Sequence, residues 1–225
     1  SVSPDYAEST TSSDAWLNVK AGTDAALAMA MGHVILKEYY IDKETPYFKE
    51  YAKEFTDMPF LVRVEDINGT VQPGRFLNAK DLGRQEEGAD FQMVLIDEIT
   101  NEIVIPNGTM GERHTNPQKW NLRLENRDTG AKIDPRLSVF DQREDVTVVK
   151  LPYFGDEEHE GVIERAIPTI TVQTVDGPVK VTTVYDLILA NYGIDRGIGG
   201  EVAKAYTDDT PYTPTWQEKI TGVKA

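Results

Sequence analysis

An alanine-rich apolar run over Asp24–Glu38 constrains the fold of this 225-residue chain more than any other feature. Its large apolar residues Leu27, Met31, Val34 and Ile35 recur at spacings that place them on one face of a helix. We therefore predict a helix over most of this range. Its many small residues favour close packing against a sheet.

Short strands are predicted on the N-terminal side of this helix. Ser1–Ser3 has the pattern of a strand end, and Ala15–Lys20 has the pattern of a short strand. A strand–helix–strand–helix order is typical of a parallel α/β sheet. Either Thr23 or Asp24 is expected to cap the helix, because side-chain oxygens at that position accept hydrogen bonds from its free amides.

The next segments continue the alternation of helix and strand. Four aromatic residues at spacings of three and four, or adjacent, predict a short helix over Pro46–Phe55. The apolar residues of Met58–Glu65 then predict a buried strand.

From Asn68 to about Gly161 the pattern changes to short apolar runs between turn dipeptides. Asn-Gly between apolar runs is a strong hairpin signal. We interpret this region as a loop-rich, mostly β insertion. The turns are expected at Asn68-Gly69, Asn107-Gly108, Thr129-Gly130 and Gly155-Asp156.

The C-terminal region predicts one hairpin and two helices. Asp176-Gly177 separates two apolar runs, and a helix is predicted over Val184–Asn191 with Gly193 at its C-terminus. The last helix is expected to be capped by Thr213 or Thr215.

The predicted fold class is α/β: a partial open sheet with flanking helices, plus the β insertion. We expect three parts, namely an α/β part over residues 1–67, the insertion over 68–161, and a return to the α/β part over 162–225. The pattern at both ends indicates either a fragment of a longer protein or unusually abrupt termini.

The charge balance excludes several classes of function. With 23 basic and 38 acidic residues the net charge is −15, which disfavours binding to nucleic acid and to anionic membrane surfaces. Because there is no cysteine, the chain has no ligands for an iron–sulfur cluster or a cysteine zinc site. No apolar run approaches the length of a membrane span.

Most candidate chemical groups have a plain structural interpretation. His33 lies on the predicted helix and is expected to be a structural histidine, whereas His114 and His159 lie in polar loop sequence. The acidic run Asp156–Glu160 could hold Ca²⁺ but lacks the pattern of a calcium loop, so a solvated acidic loop is favoured. The glycines of residues 197–200 do not fit a dinucleotide-binding motif.

Gly22, Thr23 and Asp24 form the most informative group, since they lie where a strand leads into a helix. Ligands of open parallel sheets bind at such positions. Gly22 would let a ligand approach the backbone, and an ionised Asp24 could accept two hydrogen bonds from one edge of guanine. From the residues alone, a simple helix cap remains the favoured interpretation.

Several segments spread along the chain resemble one family. The helix region and the stretches before it resemble the molybdopterin oxidoreductase superfamily. The remaining segments resemble the alpha subunit of bacterial respiratory nitrate reductase. The segments that carry the resemblance are residues 3–6, 13–17, 22–38, 51–60, 106–108, 119–122, 152–155, 182–187, 190–193, 212–216 and 220–223.

The resemblance implies functions that the residues alone do not. In the family, a molybdenum bis-molybdopterin guanine dinucleotide centre reduces nitrate, and one [4Fe–4S] cluster lies in the same subunit. The cluster ligands and the molybdenum ligand of the family lie upstream of the matching stretch, so we expect no catalytic residue and no metal ligand here. Ser3, Pro4, Gly22, Thr23 and Asp24 are the implied cofactor-binding residues, with Asp24 on the guanine edge.

The resemblance also implies partners and a location. These are an iron–sulfur beta subunit and a membrane cytochrome gamma subunit, in a holoenzyme at the cytoplasmic face of the cell membrane. The alternative hypothesis is a non-enzymatic α/β binding module that contacts a protein partner through its acidic, loop-rich insertion.

Overall fold

The computed structural model describes residues 1–6, 8–108, 123–153 and 161–225. The chain divides into two compact units. The first consists of Ser1–Glu44, Pro152–Arg165 and Leu189–Ala225, and the second of Thr45–Leu151 and Ala166–Ile188. The three-part division expected from the sequence stays a prediction.

The described secondary structure is a mixture of helices and strands, which confirms the α/β class. The α-helices are α1 (Glu8–Thr11), α2 (Asp24–Ile35), α3 (Pro46–Phe55), α4 (Val184–Asn191) and α5 (Pro214–Thr221). A π-helix spans Leu36–Asp42 and a 3₁₀ turn spans Ala89–Phe91. The strands are β1 (Leu61–Ile67), β2 (Thr70–Phe76), β3 (Leu95–Ile96), β4 (Ile103–Val104), β5 (Pro106–Asn107), β6 (Arg123–Asn126), β7 (Asp145–Pro152), β8 (Val162–Thr174) and β9 (Gly177–Thr183).

In the first unit, α2 packs against α5. The predicted helix is confirmed, and helical structure continues beyond it as a π-helix to Asp42. Of the residues on α2, Ala26, Leu27, Ala30 and His33 are buried. The small side chains of this set permit close helix packing.

The expected strand over Ala15–Lys20 is wrong. Leu17 forms only an isolated parallel bridge with Val2. Ala15, Trp16 and Asn18 are exposed, and in this range only Val19 is fully buried. The segment therefore lacks a continuous apolar face that would hold it in a longer ladder.

The main sheet has five strands in the order β2-β1-β9-β8-β7. Its pairs β1–β2, β1–β9 and β8–β9 are antiparallel, so the expectation of a parallel sheet is wrong. The pairs β1–β2 and β8–β9 are hairpins, and hairpins produce antiparallel pairs. The pair β1–β9 joins strands that are distant in the sequence.

The predicted turns explain this topology. Asn68 and Gly69 have positive φ angles of 56° and 81°, as the two-residue hairpin between β1 and β2 requires. Gly177, with a φ of 109°, follows the turn between β8 and β9. The turn at Thr129-Gly130 is also present, because the amide of Asn126 donates to the carbonyl of Ala131. The turn expected at Gly155-Asp156 lies outside the described residues.

In the predicted insertion, the regular structure of the described residues consists of strands apart from the turn Ala89–Phe91. The core of the second unit is formed by apolar side chains of the main sheet and of this region. It includes Leu61, Leu77, Val94, Ile96, Val139 and Val181. The strand expected over Met58–Glu65 is displaced, since β1 begins at Leu61.

The two predicted helices α3 and α4 have the expected bounds. After α4, Gly193 has a φ of 70°, and its amide donates to the carbonyl of Ala190, as predicted for a glycine at a helix C-terminus. At the start of α5, the Thr213 hydroxyl accepts a hydrogen bond of 3.1 Å from the amide of Trp216. Thr213, and not Thr215, is therefore the cap.

Candidate functional site

The candidate site is built on two parallel chain segments of the first unit. The amide of Leu17 donates to the carbonyl of Ser1 at 2.9 Å, and the amide of Ser3 donates to the carbonyl of Leu17 at 3.2 Å. Because the segments run in the same direction, the turns that follow them leave the pair at the same end. This arrangement retains the local geometry of a strand-end ligand site without a long strand.

The first of these turns contains Ser3, Pro4 and Asp5. The Ser3 hydroxyl accepts from the amide of Asp5 at 3.3 Å and donates to the carbonyl of Asp5 at 2.9 Å. The indole N–H of Trp16 donates to the carbonyl of Ser3 at 2.8 Å. The polar groups of Ser3 therefore hold the turn in shape, and Pro4 is exposed.

The second turn contains Gly22 and Thr23. The amide and the hydroxyl of Thr23 both donate to the carbonyl of Lys20, at 3.2 and 2.6 Å. Gly22 has a φ of 80°, and a Cβ atom built on it would meet no atom within 4 Å. The backbone at Gly22 is therefore open to an approaching group, while the hydroxyl of Thr23 fixes the turn.

Asp24 opens α2 with an exposed side chain. The expected helix cap is wrong, because Thr23 occupies the cap position with no side-chain hydrogen bond to the helix and its hydroxyl is used on Lys20. Among the described residues, the carboxylate of Asp24 has no hydrogen-bond or ion-pair partner. It is available to accept two N–H donors from outside the chain.

The five predicted cofactor-binding residues thus fall into the two turns at one end of the parallel pair. Ser3 and Pro4 lie in the first turn, and Gly22, Thr23 and Asp24 lie in or after the second. An exposed carboxylate beside open backbone suits the edge of a guanine base. Binding of a cofactor by these residues stays a prediction.

His33 is a structural histidine, as expected. It is buried on α2, and its Nδ1 atom lies 2.6 Å from the carbonyl oxygen of Tyr192. Burial lowers the pKa of His33 below its usual 6.5, and the hydrogen bond to Tyr192 offsets only part of that effect. His114, His159 and the acidic run Asp156–Glu160 lie outside the described residues.

Within the described ranges, no group of three or more histidine, aspartate or glutamate side chains is placed to hold a metal ion. No helix in this part of the chain is long and apolar enough to cross a lipid bilayer.

Arg165 is an important buried residue that the sequence analysis missed. Its side chain is completely buried, and its guanidinium donates to the carbonyls of Ala190, Glu201 and Pro211. Burial lowers the pKa of Arg165 to about 10, so it stays charged at neutral pH. In the sequence Arg165 follows the charged residue Glu164, and no local pattern marks it as buried.

No family model matches the chain. Its whole length is 48% identical to a stretch of the nitrate reductase alpha chain of Bacillus subtilis (strain 168). Some 99% of it matches the respiratory nitrate reductase alpha chain of a Bradyrhizobium species at 44% identity. The same share matches the respiratory nitrate reductase 1 alpha chain of Escherichia coli (strain K12) at 42% identity. The chain spans 18 to 22% of the length of these relatives.

Proposed function

Because this chain is homologous along its whole length to one segment of nitrate reductase alpha chains, we propose that it works as part of such a catalytic subunit. The subunit would reduce nitrate to nitrite at a molybdenum bis-molybdopterin guanine dinucleotide centre. The observation that carries the proposal is the identity of 42 to 48% from end to end. This chain would supply scaffold and part of one guanine nucleotide site.

The polar groups of this chain suit the nucleotide part of the cofactor and do not suit the ligation of an iron–sulfur cluster. A sequence without cysteine has no thiolates for a [4Fe–4S] cluster, so those ligands come from other parts of the subunit. The exposed carboxylate of Asp24 and the open backbone at Gly22 match the polar edge of a base. When bound, the molybdenum centre supplies the two-electron chemistry at nitrate.

The residues of this chain bind and orient the nucleotide end of the cofactor. The two oxygens of the Asp24 carboxylate accept from the ring N–H and the amino group of guanine. The Thr23 hydroxyl holds the turn through Lys20, and the Ser3 hydroxyl holds the neighbouring turn. Both turns are thereby preorganised, so little ordering accompanies binding.

The wider assembly belongs to the same proposal. Electrons from quinol would reach the subunit through a membrane cytochrome subunit and an iron–sulfur beta subunit. The holoenzyme would lie at the cytoplasmic face of the cell membrane.

A non-enzymatic binding module is the second candidate. The geometry of the described residues does not favour it, and the full-length similarity to catalytic chains is evidence against it. The two are separated by purifying the parent subunit from its native host and measuring its molybdenum, pterin and nitrate reduction with reduced viologen. A parent with neither cofactor and no nitrate reduction would overturn the proposed function.

A further inference from the structure

Three of the four aromatic residues of helix α3 are exposed to solvent. The side chains of Tyr47, Tyr51 and Phe55 are 69, 49 and 50% exposed. They follow one another at intervals of four residues, so they form a stripe along one face of the helix. Their ring centroids are 6.5 and 5.2 Å apart. The helix buries only Ala52.

This aromatic face is comparable in area with the largest apolar patch of a typical soluble monomer. Aromatic side chains bury about 150–250 Å² each, so the exposed part of the three amounts to roughly 300 Å². The largest exposed apolar patch on a monomeric soluble protein is about 300–600 Å², and such a patch is often functional. Because the three rings already contact one another, docking costs them little conformational freedom.

The charges around the aromatic face indicate the chemistry of its partner. Glu50, Glu54 and Asp57 are exposed beside it. Lys53 of the same helix pairs with Asp134 at 2.5 Å, so its positive charge is already used within the unit. The whole chain carries a net charge of −15. A complementary surface is therefore apolar at its centre and bordered by lysine or arginine.

We propose that the aromatic face of α3 docks onto polypeptide of the same alpha subunit that lies outside this chain. This inference rests on the proposed function, since the relatives are about five times longer than the chain. The patch alone is smaller than the 600–1,500 Å² typical of interfaces between domains of one polypeptide. It therefore forms the centre of a wider contact.

Hydroxyl-radical footprinting of the parent alpha subunit, purified without other subunits and confirmed as a monomer, tests this proposal. Oxidation of the three aromatic residues is followed by mass spectrometry in the native subunit and in urea. We expect oxidation at least tenfold slower in the native subunit, similar to the protection of the buried Tyr212. Oxidation as fast as in urea would overturn the proposal, as would protection that arises only in a dimer or with added subunits.

A pair of variants adds a second measurement. Tyr51→Asp places a charge in the aromatic face and is expected to raise the oxidation rates of Tyr47 and Phe55 at least threefold. Ile99→Asp changes another exposed apolar residue of the same unit and is expected to leave those rates unchanged. Equal rates in the two variants would contradict the proposal, and if Tyr51→Asp does not fold, the unmodified subunit still decides.

Nitrate reduction is measured on the same preparation. A covered face on a subunit that holds neither molybdenum nor pterin and reduces no nitrate would overturn the proposed function only. An exposed face on an active subunit would overturn the docking only.

Discussion

Asp24 combines an exposed carboxylate with a helix start that no side chain caps. In the parent enzyme, Asp24→Asn removes the charge and one acceptor from the proposed guanine contact. Charge-assisted hydrogen bonds are worth about 1.5–3 kcal/mol, so we expect retention of guanine nucleotide to fall by about tenfold or more. Nucleotide released per subunit is the measurement.

The control for this variant is Asp141→Asn, which changes an exposed aspartate of the other unit. Neither substitution is expected to shift the melting temperature of the 225-residue chain by more than a degree or so, because Asp24 supports no described contact. A melting temperature that falls with normal nucleotide content would identify Asp24 as a structural residue.

His33 makes stability depend on pH. Its folded pKa is lowered by burial, so below about pH 6.5 the unfolded chain binds more protons than the folded chain. The contribution of neutral His33 to the free energy of unfolding is complete above about pH 6.5. It is lost as the pH falls through the folded pKa of His33. The slope cannot exceed about 1.4 kcal/mol per pH unit for a single proton.

Urea unfolding of the chain and of His33→Asn between pH 5 and 8 measures this effect. The asparagine amide keeps a donor for the Tyr192 carbonyl but does not titrate. The difference in unfolding free energy between the two proteins is therefore expected to shrink as the pH falls. A difference that stays constant across the range would contradict the assignment.

Arg165 holds three chain segments through their backbone carbonyls. Lysine keeps the charge but offers a compact ammonium in place of the planar fork, so Arg165→Lys leaves buried carbonyls without donors. We expect a loss of about 3 kcal/mol in the free energy of unfolding. Arg84→Lys, at an exposed position where lysine can still pair with Asp128, is expected to cost less than about 0.5 kcal/mol in the same urea titration.

At the scale of elements, α5 offers a direct test of capping. Thr213→Ala removes both the acceptor for the Trp216 amide and the donor to the Asp208 carbonyl, and is expected to destabilise the chain by about 1–2 kcal/mol. Thr215→Ala, two residues later, serves as the control with little expected change. Equal losses of unfolding free energy in the two variants would show that the cap hydrogen bond contributes nothing.

The sequence predicted the elements whose signals are local. Helices α3 and α4 and the hairpins at Asn68-Gly69 and Asp176-Gly177 depend on spacing and turn residues, which operate within about ten residues. The antiparallel pairing of β1 with β9 joins residues more than 100 positions apart, and no local pattern specifies it. The expected strand at Ala15–Lys20 failed because only Val19 in this range is buried, so the segment has no continuous apolar face.

The candidate site shows the same division. The turn at Gly22 and the start of the helix at Asp24 could be predicted from residue types. The hydrogen bond that holds the turn could not be predicted. The Thr23 hydroxyl can either accept from the helix amides or donate to the carbonyl of Lys20, and residue type does not decide between them. The buried role of Arg165 depends on three segments that meet only in the folded unit.

At the scale of the whole molecule, the chain on its own is expected to have no nitrate reductase activity. It has no cysteine for a cluster, and the described residues contain no group of three metal-ligating histidine, aspartate or glutamate side chains. The purified chain is assayed with nitrate and reduced viologen, with the parent enzyme as the positive control. Nitrate reduction above that of a buffer blank would contradict the proposal that the reaction centre is held by other parts of the subunit.

The first unit is assembled from both ends of the chain, and this has a consequence for biosynthesis. Helix α2 leaves the ribosome early, but its packing partner α5 begins roughly 180 residues later. At roughly 5–20 residues per second, α2 waits for roughly 9–36 s with its apolar side uncovered. During translation the apolar side of this helix therefore stays exposed until the last helix of the unit has been made.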